Sequence, residues 1–157
     1  MSGEPRSSTS AAAPRTLVWV DAAEAIIVRW DGAAGIEWLV SQVPAHRRGS
    51  GHVTHDATRR TIGSPPPDRH RLEHLRQHLR QVADRIEPGD DLEVIGPGTV
   101  REHLAAMIAA EDRLHHRRRE VRTRRSPRLS EPQLVARVRA AAGASALRGR
   151  PGAAGAA

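Results

Sequence analysis

The sequence contains no cysteine, lysine, phenylalanine or tyrosine among its 157 residues. The absence of cysteine excludes disulfides, thiolate zinc sites, iron–sulfur clusters and a cysteine nucleophile. No stretch approaches the roughly 20 consecutive apolar residues that cross a bilayer, and the amino terminus lacks the apolar core of a secretory signal. We therefore expect a cytoplasmic protein that binds no cofactor and does not enter a membrane.

All 25 basic residues are arginine, and the 18 acidic residues leave a net charge of +7. Residues 115–128 alone contain seven arginines and one glutamate, so this short segment carries +6 of that charge. A cluster this tight favours a polyanionic partner, and a solvated surface is the alternative interpretation. An arginine-rich composition is also typical of GC-rich coding. The clustering of the arginines therefore indicates a polyanionic partner more strongly than the total net charge does.

The two ends of the chain, residues 1–14 and 144–157, consist largely of small residues, proline and arginine. We expect both to be disordered tails because they offer almost nothing to bury. Between them, residues 15–143 are long enough for one domain with one core. Residues 44–68 contain few apolar side chains, which predicts a long mobile loop inside that domain.

Short apolar runs and turn residues predict three antiparallel strands at the start of the domain, Leu17–Val20, Ala25–Val28 and Ile36–Val43. After the loop, the apolar spacing predicts a helix from Pro67 to the Pro-Gly pair at 88–89. A strand at 92–95, a helix, a weak strand at 120–123 and a last helix capped by Ser130 and closed by Gly143 complete the order. The order β-β-β, long loop, α-β-α-β-α predicts an α/β fold with a mixed sheet, for which an RNase H-like arrangement is the natural candidate.

Three histidines, His70, His74 and His78, repeat every four residues on the first predicted helix. Such a stack could hold zinc or nickel. On a helical wheel His70 lies roughly opposite the apolar face and His74 about 120° from it, so we expect solvated histidines and no metal site.

The acidic residues and the short motifs are interpreted as structural. Thr99 and Glu102 have the spacing of a capping box at the start of the second predicted helix. A two-metal nuclease would need carboxylates that converge from adjacent strands. The candidates here flank turns instead, which favours turn and capping roles; they are Asp21, Glu24, Asp90 and Asp91.

The segment VPAHRRGSGH, residues 43–52, combines a basic stem with a tip in which two glycines flank a serine. Such a loop can follow a phosphate backbone because glycine lets the main chain approach closely. An unstructured surface loop is an equally good interpretation of the residues alone. The candidate RNA-binding residues of this segment are Arg47, Arg48, Gly49, Ser50, Gly51 and His52.

Four segments resemble the central domain of the archaeal and eukaryotic peptide-chain release factors and of Pelota, in the single-domain form of bacterial release-factor-like proteins. These segments are VWVDAAEAIIVRW, VPAHRRGSGH, LEVIGPGTVREHL and SEPQLVARVR, and together they cover Leu17 to about Ala142. The resemblance implies an RNase H-like α/β sandwich and a role in translation on the ribosome. In that family a Gly-Gly-Gln tip positions water against the peptidyl-tRNA ester, whereas this chain has Ser50-Gly51-His52. We therefore expect no hydrolytic activity.

Three functional hypotheses remain. The first is a ribosome-associated factor, without hydrolytic activity, that binds ribosomal RNA or tRNA through the loop and the arginine cluster. The second is a peptidyl-tRNA ester hydrolase in which His52 takes the place of the glutamine. The third is a protein-interaction scaffold whose arginine excess reflects coding bias. The arginine-cluster residues assigned to RNA binding are Arg117, Arg118, Arg119, Arg122, Arg124 and Arg125.

Overall fold

The computed structural model describes residues 14–43 and 67–148. The elements follow the predicted order, with shifts of a few residues at their ends. They are β1 (Arg15–Val20), β2 (Glu24–Trp30), β3 (Ala34–Val40), α1 (Pro67–Asp84), β4 (Asp91–Gly96), α2 (Val100–Leu114), β5 (Val121–Arg125) and α3 (Glu131–Arg148). Residues 1–13, 44–66 and 149–157, which contain most of the predicted tails and loop, lie outside the described residues.

The five strands form one mixed sheet in the order β3-β2-β1-β4-β5. The first three strands form two antiparallel hairpins, and β4 and β5 are added in parallel to β1. The first hairpin turns at Asp21, whose Oδ1 accepts the backbone N–H of Ala23 at 2.7 Å and that of Glu24 at 2.9 Å. The α/β class with a mixed sheet is confirmed, and the RNase H-like assignment stays a prediction.

The two faces of the sheet carry separate cores because side chains alternate along each strand. Val18 and Val20 of β1 pack with α1 and α2, whereas Leu17 and Trp19 pack with α3. This central strand is buried on both faces, which explains its continuous apolar run. No helix of the described part of the chain is long and apolar enough to span a bilayer.

The predicted capping box and one predicted helix end are wrong. Thr99 is the N-cap of α2 as predicted, but its side chain makes no capping hydrogen bond, and the carboxylate of Glu102 accepts from Arg101. At the helix end, α3 continues through Gly143 to Arg148, so residues 144–148 are helical and not part of the predicted tail. Alanine is the best helix former and the segment is rich in it, which offsets the roughly 1 kcal/mol penalty of an internal glycine.

His78 is buried, with 3% of its surface exposed, and the prediction of a solvated histidine is wrong there. His70 is exposed and His74 is half-buried beside it. A step of four residues turns about 40° beyond a full helical turn, so the third histidine reaches the apolar face. Neither ring nitrogen of His78 has a hydrogen-bond partner, and burial lowers the pKa of His78. Within residues 14–43 and 67–148, no group of three potential ligands could hold a metal ion.

Candidate nucleic-acid interface

β5 is an edge strand, because its only neighbour within the described part of the chain is β4. Val121 lies opposite Leu92 of β4 and packs into the core under α1 and α2. The remaining four residues of the strand are exposed. Since alternate residues share a face, Arg122 and Arg124 lie on the α3 face and Arg125 lies on the opposite face.

A buried ion pair holds the entry to β5. The guanidinium of Arg119 donates from Nε to Oδ2 of Asp112 at 2.7 Å and from Nη2 to Oδ1 at 2.9 Å. Its Nη1 donates to the carbonyl oxygen of Glu87 at 3.0 Å, and only 4% of the Arg119 side chain is exposed. This contact removes Arg119 from the phosphate-binding set predicted from the sequence, because its donors are already engaged and buried.

Three more arginines of the 115–128 cluster have acidic partners. Arg117 lies 3.9 Å from the carboxylate of Asp112, and Arg122 donates from Nε to Glu120 at 2.7 Å. Arg128 pairs with Glu24 of β2, and its guanidinium carbon lies 4.8 Å from the ring centroid of Trp19 and 5.3 Å from that of Trp38. The fold therefore pairs four of the seven arginines of this segment with three carboxylates. The partners come from α2, from β2 and from the residue before β5.

Arg118, Arg124 and Arg125 remain exposed, and none of them forms an ion pair with any residue of 14–43 or 67–148. Arg113 in the last turn of α2 is exposed in the same way, and sequence reasoning missed it because the counted cluster began at His115. His116, with φ 54°, then reverses the chain between α2 and the β5 entry. The unpaired guanidiniums thus lie before, along and at the end of the edge strand. β5 itself, with four steps of about 3.3 Å, is about 13 Å long.

A groove of about 360 Å³ lies beside β5 on the α3 face. It is lined by Arg122 and Arg124 of β5, by acidic residues of β4 and by Ala141 of α3. The acidic groups are engaged: Glu93 accepts from Nε of Arg137 at 3.1 Å, and Asp91 accepts the backbone N–H of Glu120 at 3.0 Å. Hydrogen bonding to Glu93 raises the pKa of Arg137 above its ordinary value. The guanidinium of Arg124 is the unpaired charge at this groove among the residues described.

The predicted loop leaves from the same end of the sheet at which β5 ends. β3 is antiparallel to β2, which is antiparallel to β1, so β3 runs in the direction of β1, β4 and β5. Val43 is the last described residue before the loop and follows the end of β3. β3 and β5 are nevertheless opposite edges of the sheet, four strand spacings or about 19 Å apart.

The loop residues predicted to bind RNA lie outside the described residues, and their role stays a prediction; they are Arg47, Arg48, Gly49, Ser50, Gly51 and His52. The described part of the candidate interface is the edge of β5 with its approach from α2. No known protein family matches the chain, and a search of curated proteins finds no match.

Proposed function

We propose that this protein is a ribosome-associated factor that binds ribosomal RNA or tRNA along the edge of β5 and has no hydrolytic activity. One observation carries the proposal: Arg118, Arg124 and Arg125 are exposed and unpaired among the described residues, while Arg119 in the same run is buried against Asp112. Guanidinium groups donate in a fork that matches phosphate oxygens. An edge strand that presents several of them fits a sugar–phosphate backbone.

The resemblance to the central domain of release factors and Pelota narrows the polyanion to RNA of the translation machinery and implies a cytoplasmic location. The loop residues Arg47 and Arg48 are assigned to RNA binding from the sequence alone. Ser50-Gly51-His52 stands where that family has Gly-Gly-Gln, so the proposed function includes no hydrolysis.

Co-sedimentation with purified ribosomes tests the proposal. We expect the wild-type protein to pellet with ribosomes at low salt and less at moderate salt. The variant Arg118→Gln/Arg124→Gln/Arg125→Gln should stay in the supernatant. The matched control, Arg69→Gln/Arg76→Gln/Arg80→Gln, removes the same charge from exposed positions of α1 and should pellet like the wild type. Failure of the wild type to pellet at either salt, or equal losses in both variants, would contradict the proposal.

The absence of hydrolysis needs its own assay. Release of labelled peptide from ribosome-bound peptidyl-tRNA should stay at the rate measured without the protein. Release by the wild type that His52→Ala abolishes would replace the proposed function with the hydrolase alternative.

A further inference from the structure

β3 forms the other edge of the sheet, and its outer side has no partner strand among residues 14–43 and 67–148. Its α3 face carries three large apolar side chains in a row, with 40% of Ile36, 45% of Trp38 and 76% of Val40 exposed. Edge strands in proteins that stay monomeric are usually protected by charges, proline or bulges. Between Ala34 and Val40 the only charged residue is Glu37, and it lies on the other face.

The row is uncovered because α3 crosses its face of the sheet diagonally. The helix begins beside β3, where Glu131 accepts from Nε1 of Trp38. Its middle lies against Glu93 of β4, and Ala141 lines the groove at β5. An apolar groove of about 390 Å³ remains between Ile36 and the first turns of α3.

Trp38 is held in place although it is half exposed. Its indole donates to Glu131, and the guanidinium of Arg128 lies 5.3 Å from its ring centroid. A tryptophan whose rotamer is fixed loses little conformational entropy on binding, and such residues are the usual anchors of protein interfaces.

We propose that β3 is a dimerisation strand: two copies of this chain pair β3 with β3 in antiparallel orientation about a two-fold axis at Trp38. In this register Trp38 faces Trp38 of the second copy, and Ile36 faces Val40. Cross-strand apolar pairs of this kind stabilise antiparallel sheets. The two five-stranded sheets become one sheet of ten strands.

The charge of β3 is compatible with a second copy as the partner and disfavours one alternative register. Glu37 pairs with Arg85, whose Nη1 lies 2.7 Å from the Glu37 carboxylate, so the strand presents no uncompensated charge to a second copy. With the axis at Trp38, Glu37 lies opposite Leu39 of the second copy, so the two Glu37 carboxylates are not directly opposed. An axis at Glu37 would place two like charges directly opposite each other, which is destabilising.

The dimer is closed, because the two-fold pairing uses the β3 edge of both copies and leaves only the β5 edges. Continued growth would need β5 to pair with β5 of another dimer, which would bring the exposed guanidiniums of two β5 strands together. A two-fold interface uses the same patch twice and stops at two copies. The dimer would present its two β5 edges at the far ends of the common sheet. This inference stands apart from the proposed RNA binding.

Sedimentation equilibrium of the nuclease-treated protein at high salt tests the dimer without contribution from RNA. We expect twice the monomer mass of 17.1 kDa in the micromolar concentration range. Ile36→Arg and Val40→Arg, each at an exposed position, should raise the dimer dissociation constant at least tenfold. The controls Leu72→Arg and Leu114→Arg replace exposed apolar residues on α1 and α2 and should leave the dissociation constant unchanged.

A monomeric wild type would overturn the proposal, and this is also the result expected if another protein, or a part of this chain outside the described residues, occupies β3. Dimers of Ile36→Arg and Val40→Arg as stable as those of the controls would overturn it too. The two proposals fail separately. The variant Arg118→Gln/Arg124→Gln/Arg125→Gln should still form the dimer. Ile36→Arg and Val40→Arg should still bind RNA, as monomers.

Discussion

Asp112 and Arg119 form a bidentate ion pair in which both side chains are buried, and the pair joins the last turn of α2 to the residues that enter β5. The chain between them reverses at His116 with a positive φ. The pair therefore fixes where the edge strand begins. Arg119 is therefore a structural residue, whereas Arg118, Arg124 and Arg125 of the same cluster are exposed to solvent.

Arg119→Gln should destabilise the protein far more than Arg124→Gln. Arg119→Gln leaves the buried carboxylate of Asp112 with only the 3.9 Å contact to Arg117, which should lower the free energy of unfolding by about 3 kcal/mol. Arg124→Gln changes an exposed residue and should alter that free energy by no more than about 0.5 kcal/mol. Urea unfolding measures the free energy of unfolding of both variants. Equal losses would contradict the distinction between a structural Arg119 and a solvent-facing Arg124.

The salt dependence of RNA binding should report how many arginines contact phosphates. Each phosphate contact on a single strand contributes about 0.7 to the slope of log affinity against log salt concentration. Loss of Arg118, Arg124 and Arg125 should therefore reduce the slope by about 2. Fluorescence anisotropy with labelled single-stranded RNA measures the slope, and the matched triple variant on α1 should keep the wild-type value.

His78 should make the protein less stable in mild acid. Burial lowers its pKa in the folded state, whereas the unfolded chain has the ordinary value of about 6.5. Below that pH the unfolded chain binds a proton that the folded protein excludes, so the free energy of unfolding falls as the pH falls. The charge of Asp21 opposes part of this effect.

Urea unfolding at a series of pH values between about 8 and 5 measures the effect. His78→Leu should make the stability less dependent on pH, whereas His70→Leu on the exposed side of α1 should keep the wild-type dependence. The same dependence in the wild type and in His78→Leu would show that the buried imidazole is not responsible.

Gly96 and Gly98 lie two residues apart but should tolerate alanine very differently. A Cβ at Gly96 would overlap the carbonyl oxygen of Val20 in β1, while a Cβ at Gly98 would have open space around it. Gly96→Ala must move two paired strands, and overpacking of this kind costs about 1–3 kcal/mol. Thermal unfolding should show a lowered midpoint for Gly96→Ala and little change for Gly98→Ala.

The parts of the fold that could be predicted depend on local patterns. The turn at Asp21 and the burial of Leu79 and Val82 follow from residues close in sequence, since the spacing of turn residues and of apolar positions determines them. The prediction for His78 failed because it was extended from the positions of His70 and His74 on the wheel, whereas four-residue steps drift around the helix toward the apolar face.

The sequence does not predict which arginines form ion pairs and which stay exposed, because the partners come from elements distant in sequence. Glu24 of β2 meets Arg128, and Glu87 supplies its carbonyl oxygen to Arg119. Charge counting treats all seven arginines of the cluster alike. Only the tertiary structure separates the buried guanidinium of Arg119 from the exposed ones of Arg124 and Arg125.

The shared direction of β1, β4 and β5 determines where the three helices begin. Each helix runs back against these strands, so all three amino termini lie at the end where β5 finishes. Peptide dipoles place about half a positive charge at each such terminus. The first turns of α2 and α3 each contain an acidic residue, Glu102 and Glu131, which offsets this backbone charge, so the helix termini should not replace the β5 arginines in binding a polyanion.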